Sequence, residues 1–210
     1  AGREGGPEMP LIADLFRDCP DPFAWLSSQG KLYRLGGAAL NTTATGATSF
    51  ATTTPTFGVF LDAASGLAMI PAEWRMMQAG TVGGGAVTVL MEMDNADRYT
   101  SGGTAMTVMS TDLLSAALPA GASAFSTAGG AITATDAVGV RMAGWLLGQD
   151  VSPAEGAVNE IVWRAGPGPD ILRTTAAAGA SWLINTSAGS TGPTWFWSGK
   201  VAIVPLDWCS

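Results

Sequence analysis

The chain has 210 residues, of which only 13% are charged and none is histidine, while 8 are tryptophan and 28 are glycine. An average globular chain is about 25% charged, so this one fills its surface with Thr, Ser, Gly and Ala or covers it with other molecules. Without histidine, Ser-His-Asp and Cys-His arrangements are excluded and zinc loses its usual ligand, and a net charge of −7 with 10 scattered Lys and Arg argues against nucleic-acid phosphates.

Residues 1–9 are Gly-rich and polar and read as a loose leader without a basic and apolar signal pattern; Ala1 fits removal of an initiator Met. Leu11, Ile12, Leu15 and Phe16 then supply an apolar face over about one and a half helical turns. Pro20 and Pro22 are expected to stop it. Phe23, Trp25, Leu26, Leu32 and Tyr33 continue an apolar arm that either covers its own domain or reaches a neighbour. Residues 1–40 are thus leader and arm, and 41–210 a single domain.

Past residue 42 the texture is Thr, Ser, Ala and Gly broken by short strand-like runs. Strands are predicted at Thr48–Thr54, Phe57–Asp62, Ala68–Met77, Ala86–Asp94, Ala105–Ser110, Val138–Leu147, Glu160–Ala165, Trp182–Thr186 and Trp195–Val204. The clearest period of two sets Val87, Val89, Met91 and Met93 on one buried face against Thr88, Leu90 and Glu92. Val138, Val140, Met142 and Gly144 read the same way. Helical propensity competes in Thr111–Leu118 and Thr174–Ala180. Many strands without interleaved long helices predict an all-β, two-sheet antiparallel sandwich, a jelly roll first and an irregular sandwich of immunoglobulin size second. No stretch approaches the roughly 18 to 20 apolar residues of a membrane span, so no membrane association is expected.

Chemistry is sparse. Paired carboxylates for a glycosidase would come from Glu73, Glu92, Asp94, Glu155 and Glu160, but these sit beside turns or on polar strand faces. Gly83–Gly85 and Gly166–Pro169 lack the Gly-Lys-Ser/Thr ending of a phosphate loop and read as turns. Asp94, Asn95 and Asp97 lack the twelve-residue calcium-loop pattern, and the sequons at Asn41 and Asn185 are of the kind that a Thr-rich chain produces by chance. No catalytic residue, metal or cofactor is expected. Cys19 and Cys209 allow a bridge, free thiols or contacts with neighbours. The tryptophans are the stronger lead: Trp163, Trp182, Trp195 and Trp197 lie in predicted strands, and Trp195 and Trp197 share a face. Such rings fill a core, a partner's pocket or a sugar-stacking platform. Trp208 fits a domain core less easily than an intersubunit contact.

After the alternating strand comes Met93-Asp94-Asn95-Ala96-Asp97-Arg98-Tyr99-Thr100-Ser101-Gly102-Gly103-Thr104-Ala105-Met106-Thr107. Arg98 and Tyr99 suit the end of a strand, and Gly102 and Gly103 a tight turn with positive φ. This run resembles a segment of virion structural proteins of tailed bacteriophages, of the form Arg-Tyr-Ser/Thr-Ser-Gly-Gly-Thr-Ala, and Gly129–Thr135 and the aromatic last strand look similar too. The likeness spans roughly residues 40–208, leaves the arm outside, and is sharp in that one loop. It implies a noncatalytic jelly-roll decoration, cement or head-fibre protein on the capsid exterior, a homo-oligomer bound to other capsid proteins. A homotrimer is the preferred symmetry. Partner contacts are then expected at Leu11, Phe16, Phe23, Trp25, Trp195, Trp197 and Trp208. The rival expectation is a carbohydrate-binding sandwich that stacks a glycan on Trp163, Trp195 or Trp197.

Overall fold

A computed structural model describes residues 11–79, 86–111, 117–135, 140–147, 160–189 and 192–209. Helix α1 (Ile12–Asp18) is short, buries Ile12 and Leu15, and places Asp14 in its first turn and Arg17 in its last. Pro22, expected to help end this helix, instead opens a second, α2 (Pro22–Ser28). Asp21 caps it, its carboxylate accepting from the Ala24 amide at 2.9 Å. Proline is well placed at a first helical position, where its missing N–H would have had no partner anyway.

Strands follow: β1 (Leu32–Gly36), β2 (Ala44–Thr45), β3 (Phe57–Leu61), β4 (Leu67–Gln78), β5 (Val87–Asp94), β6 (Tyr99–Gly102), β7 (Thr104–Ala105) and β8 (Thr107–Ser110). Then come β9 (Ala122–Ser126), β10 (Ile132–Ala134), β11 (Val140–Leu147), β12 (Glu160–Arg164), β13 (Leu172–Arg173), β14 (Ala180–Ala188), β15 (Thr194–Pro205) and a 3-10 helix, Leu206–Cys209. Among the described residues they form two large antiparallel sheets. Sheet A runs β12-β4-β15-β1-β8, with β13 beside β4 and β2 beside β15; sheet B runs β11-β5-β14-β3-β9-β7. A two-stranded ribbon, β6 with β10, stands apart. The protein is an antiparallel β-sandwich.

The sandwich core lies between the sheets, and the tryptophans are its largest parts. Trp74, Trp182 and Trp195 are fully buried with Phe57. Trp74 stacks on Trp197 at 5.8 Å and 8° and meets Trp182 edge-on at 5.3 Å and 82°, the two favoured aromatic geometries. Gly199 makes room for this stack, since a Cβ there would run into the Trp74 ring. The Trp195 indole N–H donates to Thr186 Oγ1 at 3.1 Å, which in turn shares a hydrogen bond with Thr56 at 2.8 Å.

The alternation predicted for β5 is present: Val87, Val89 and Met91 are fully buried, and Met93 packs against the same core. That predicted for β11 breaks at Gly144. A register shift between Arg141 and Ala143 reassigns the faces, so that Ala143, Trp145 and Leu147 pack on the core and Gly144 is exposed. Val138 lies outside the described residues. Thr48–Thr54 forms bends and turns in place of a strand. Thr174–Ala180 is not helical, because the Thr175 hydroxyl accepts from the amides of Ala177 and Ala178 and closes a turn that runs into β14. Most of the helix predicted at Thr111–Leu118, residues 112–116, lies outside the described residues, as do Gly83–Gly85.

Candidate functional site: the open half of the larger sheet

The outer face of sheet A changes character along its strands. At one end it presents Leu32, Ile70, Ala202 and Val204, and the chain covers these with α1, α2 and the 3-10 helix. Phe16 and Phe23 meet edge-on at 5.1 Å and Trp25 lies 5.8 Å from Trp208, and these half-buried arm rings pack against the covered rows. Trp208 is buried there beneath Lys31, whose Nζ is 5.9 Å from the ring centroid. Leu11, at the outer end of α1, stays exposed.

The change falls at a β-bulge in β4. Val201 pairs with Pro71 and Lys200 with Glu73, leaving Ala72 as the extra residue. Beyond it, three rows of outward side chains cross the sheet in register. The first is Met109–Arg34–Lys200–Glu73–Arg164, the second Thr107–Gly36–Ser198–Arg75–Val162, the third Phe196–Met77–Glu160. No element among the described residues packs over them, and Met77, Met109 and Val162 are exposed. Four of the chain's 10 basic residues, Arg34, Arg75, Arg164 and Lys200, stand here against Glu73 and Glu160, so the face is cationic on a protein of net charge −7.

The charges are ordered. Glu73 Oε2 accepts from Lys200 Nζ at 3.3 Å and from Arg164 Nε at 3.2 Å, and Arg75 pairs with Glu160. Burial pushes the Glu73 carboxyl up, but the hydrogen bonds and charges of Lys200 and Arg164 together outweigh it and hold the group below the usual glutamate range. Arg34 makes no ion pair among the described residues, although its register partner Lys200 is another cation. It stands between two hollows and lines both. One, of about 470 Å³, has Gly36, Ser198 and Thr107 on its floor and the 37–42 loop as its wall, with Leu40 fully exposed on that loop. The other, of about 520 Å³, reaches toward α2 past Lys200, Glu73 and Arg164.

The remaining predicted residues lie elsewhere. Trp195 has no exposed surface, and Trp197 and Trp163 pack into the inter-sheet core, so none of these rings forms an outward platform. Of the five carboxylates weighed for glycosidase chemistry, Glu73 and Glu160 are held by cations on sheet A. Glu92 accepts from Asn185 at 3.0 Å and Asp94 from Arg98 at 2.8 Å, both on sheet B, and Glu155 lies outside the described residues. Asn185 is itself buried, which closes that sequon to a glycan.

Arg98, Tyr99, Gly102 and Gly103 belong to the ribbon that covers the outer face of sheet B. Arg98 donates to Asp94, and its amide to Ser181 Oγ at 2.9 Å. The Tyr99 hydroxyl donates to the Gly102 carbonyl at 3.0 Å while its ring stacks on Phe125 at 4.4 Å and 7°. Gly102 and Gly103 have φ of 81° and 72°, a region that side chains rarely enter. This loop closes a small cluster of Phe60, Leu183 and Ile132.

Sequence reasoning did not single out Arg34, Leu40, Phe196, Lys200 or Arg164 as neighbours on this open face. Of these only Arg164 had a local signal, its even spacing from Glu160, which puts both on one strand face as the spacing of Glu73 and Arg75 does. Cys19 and Cys209 are unbridged and both lie against the helical cap; burial, its largest cause, raises the Cys209 thiol above its ordinary value. Among the described residues no group of three or more Cys, Asp or Glu is placed to hold a metal ion, and no helix is long and apolar enough to cross a membrane. Comparison of the chain with models of protein families, with curated proteins and with solved structures finds no match.

Proposed function

We propose that this chain is a noncatalytic structural protein that docks onto other protein surfaces through the open half of sheet A. The observation that carries the reading is the division of that sheet: its apolar rows are covered by the chain itself, while no element among the described residues covers the three rows that mix cations with Met77, Met109, Val162 and the half-buried Phe196. A mixed face of this kind suits a partner that comes and goes in assembly, because both states are tolerable in water. Within this reading the protein is a virion component of the decoration, cement or head-fibre type, a homo-oligomer on the capsid exterior. The Arg98 to Thr107 resemblance and the low charge support that assignment.

A jelly-roll arrangement of the sandwich belongs to the same proposal. It is supported by the way successive strands cross between sheets, β3 in sheet B, β4 in sheet A and β5 in sheet B. Stacking of a glycan on Trp163, Trp195 or Trp197 draws no support from rings turned toward the core.

The test is cosedimentation of the protein with particles from the cells that produce it, together with its mass in solution. Saturable binding to particles and a mass of three subunits are expected. A stable monomer that joins no particle would sink the proposal, and a glycan array checks the rival.

A further inference from the structure

We infer that the open half of sheet A receives an extended, acidic segment of a partner protein, in which a carboxylate side chain is followed two residues later by an apolar one. This rests on the reading of that face as a docking surface and adds the chemistry of the occupant. Neighbouring strands lie about 4.8 Å apart, so Arg34 on β1 and Lys200 on β15, which are register partners, flank a single position from which one carboxylate can accept from both. Arg34 spends no donor on an ion pair among the described residues, and Lys200 is shared only with Glu73. A carboxylate placed there would also relieve the repulsion between two cations set side by side.

One row further, the floor drops to Gly36, Ser198 and Thr107, and Leu40, Met109 and Phe196 border a hollow of about 470 Å³. Rows on one face of a sheet are two residues, or about 6.8 Å, apart. Side chains on one face of an extended peptide have the same repeat. A segment running along β1 and β15 therefore sets a carboxylate over Arg34 and Lys200 while its residue two positions away enters the hollow. Charge selects the occupant. A second copy laid face to face would bring four basic residues against four, with Glu73 and Glu160 of each copy too few to balance them, and a nucleic acid would meet the long-range repulsion of a chain of net charge −7. An acidic polypeptide needs only a local match.

The experiment uses the full chain and fluorescein-labelled nonapeptides, read by anisotropy. One carries Glu-Thr-Leu at its centre, one Lys-Thr-Leu and one Glu-Leu-Thr, with an oligothymidylate alongside. The first peptide is expected to bind, and to lose affinity at least about tenfold when Lys replaces Glu or when the protein carries Arg34→Glu. Breaking the spacing, or introducing Leu40→Asp, is expected to cost about fivefold. Both protein positions are exposed, and unchanged thermal melting confirms that the variants fold. Failure of the first peptide to bind, equal binding of all three peptides, insensitivity to Arg34→Glu, tighter binding of the oligonucleotide, or an oligomer that Arg34→Glu dissociates would each overturn the inference. If particles still bind the wild-type protein while the peptides fail, the acidic segment falls and the docking reading stands. Peptide binding without any particle binding gives the converse.

Discussion

Sheet B turns Phe60 and Leu183 outward, and the chain returns over them with the β6–β10 ribbon, setting Tyr99 against Phe125 as the lid. Sheet A turns Arg34, Lys200 and Glu73 outward beyond its bulge, and no element among the described residues returns. The contrast holds within sheet A as well, where Ile70 and Ala202 lie under the helical cap and the charged rows a few residues further do not. Cover follows the chemistry of the floor. Apolar rows left in water would invite indiscriminate association, so the fold closes them with its own elements, while the charged rows, which water solvates, carry no such cover among the described residues.

Four substitutions test this division, from the largest expected effect to the smallest. Phe60→Ala empties the floor of the covered face and is expected to lower stability by about 3–5 kcal/mol, read by urea unfolding. Peptide binding by the fraction that remains folded should be untouched, and a loss of binding would show that the two faces are not independent. Gly103→Val forces a branched side chain to φ 72° and against Ile132 Cγ1. It should cost about 1–3 kcal/mol and shift the near-ultraviolet signal of Tyr99 as the ribbon lifts.

Glu73→Gln, on the open face, is expected to cost no more than about 1 kcal/mol at neutral pH, as partly exposed ion pairs do. The sign with pH follows from the lowered Glu73 pKa: its stabilisation is fully present above the ordinary glutamate value and is lost as pH falls through the lower, folded value. Unfolding curves of wild type and variant should therefore differ at pH 7 and converge in acid. Arg34→Glu should change stability by less than about 0.5 kcal/mol while weakening capture of the Glu-Thr-Leu peptide at least about tenfold. A large loss of stability there would mean that Arg34 supports the fold, and the contrast between closed and open faces would fail at its central residue.

How much could be read beforehand depended on whether a signal was local. In β5 one face is apolar and the other mixed, and Val87, Val89 and Met91 declared it. In β11 the bulge after Arg141 interrupts the period, which no spacing of residue types reveals. The ribbon escaped notice because β6 and β10 are short, and their apolar contacts, through Tyr99 and Ile132, are with residues far along the chain. The arm's aromatic residues were legible as sticky, but not that Trp25 would be met by Trp208 of the same chain. The open face was hardest to see. Each strand gives it two or three outward residues, and Arg34 becomes the neighbour of Lys200 only when β1 is known to pair with β15.

That pairing has a consequence for how the molecule comes into being. Strand β1, Leu32–Gly36, hydrogen-bonds to β15, Thr194–Pro205, in the middle of sheet A, so the first strand made waits for the last. At about 5–20 residues per second, a ribosome needs on the order of ten to thirty seconds to cross the interval. During that time Leu32 and Leu35, and the apolar faces of α1 and α2 beside them, have no finished sheet to rest on. A nascent chain halted between β12 and β15 would hold two half-sheets, β12 with β4 and β1 with β8, without a shared centre, so chaperone occupancy should rise through synthesis and collapse once β15 clears the exit tunnel.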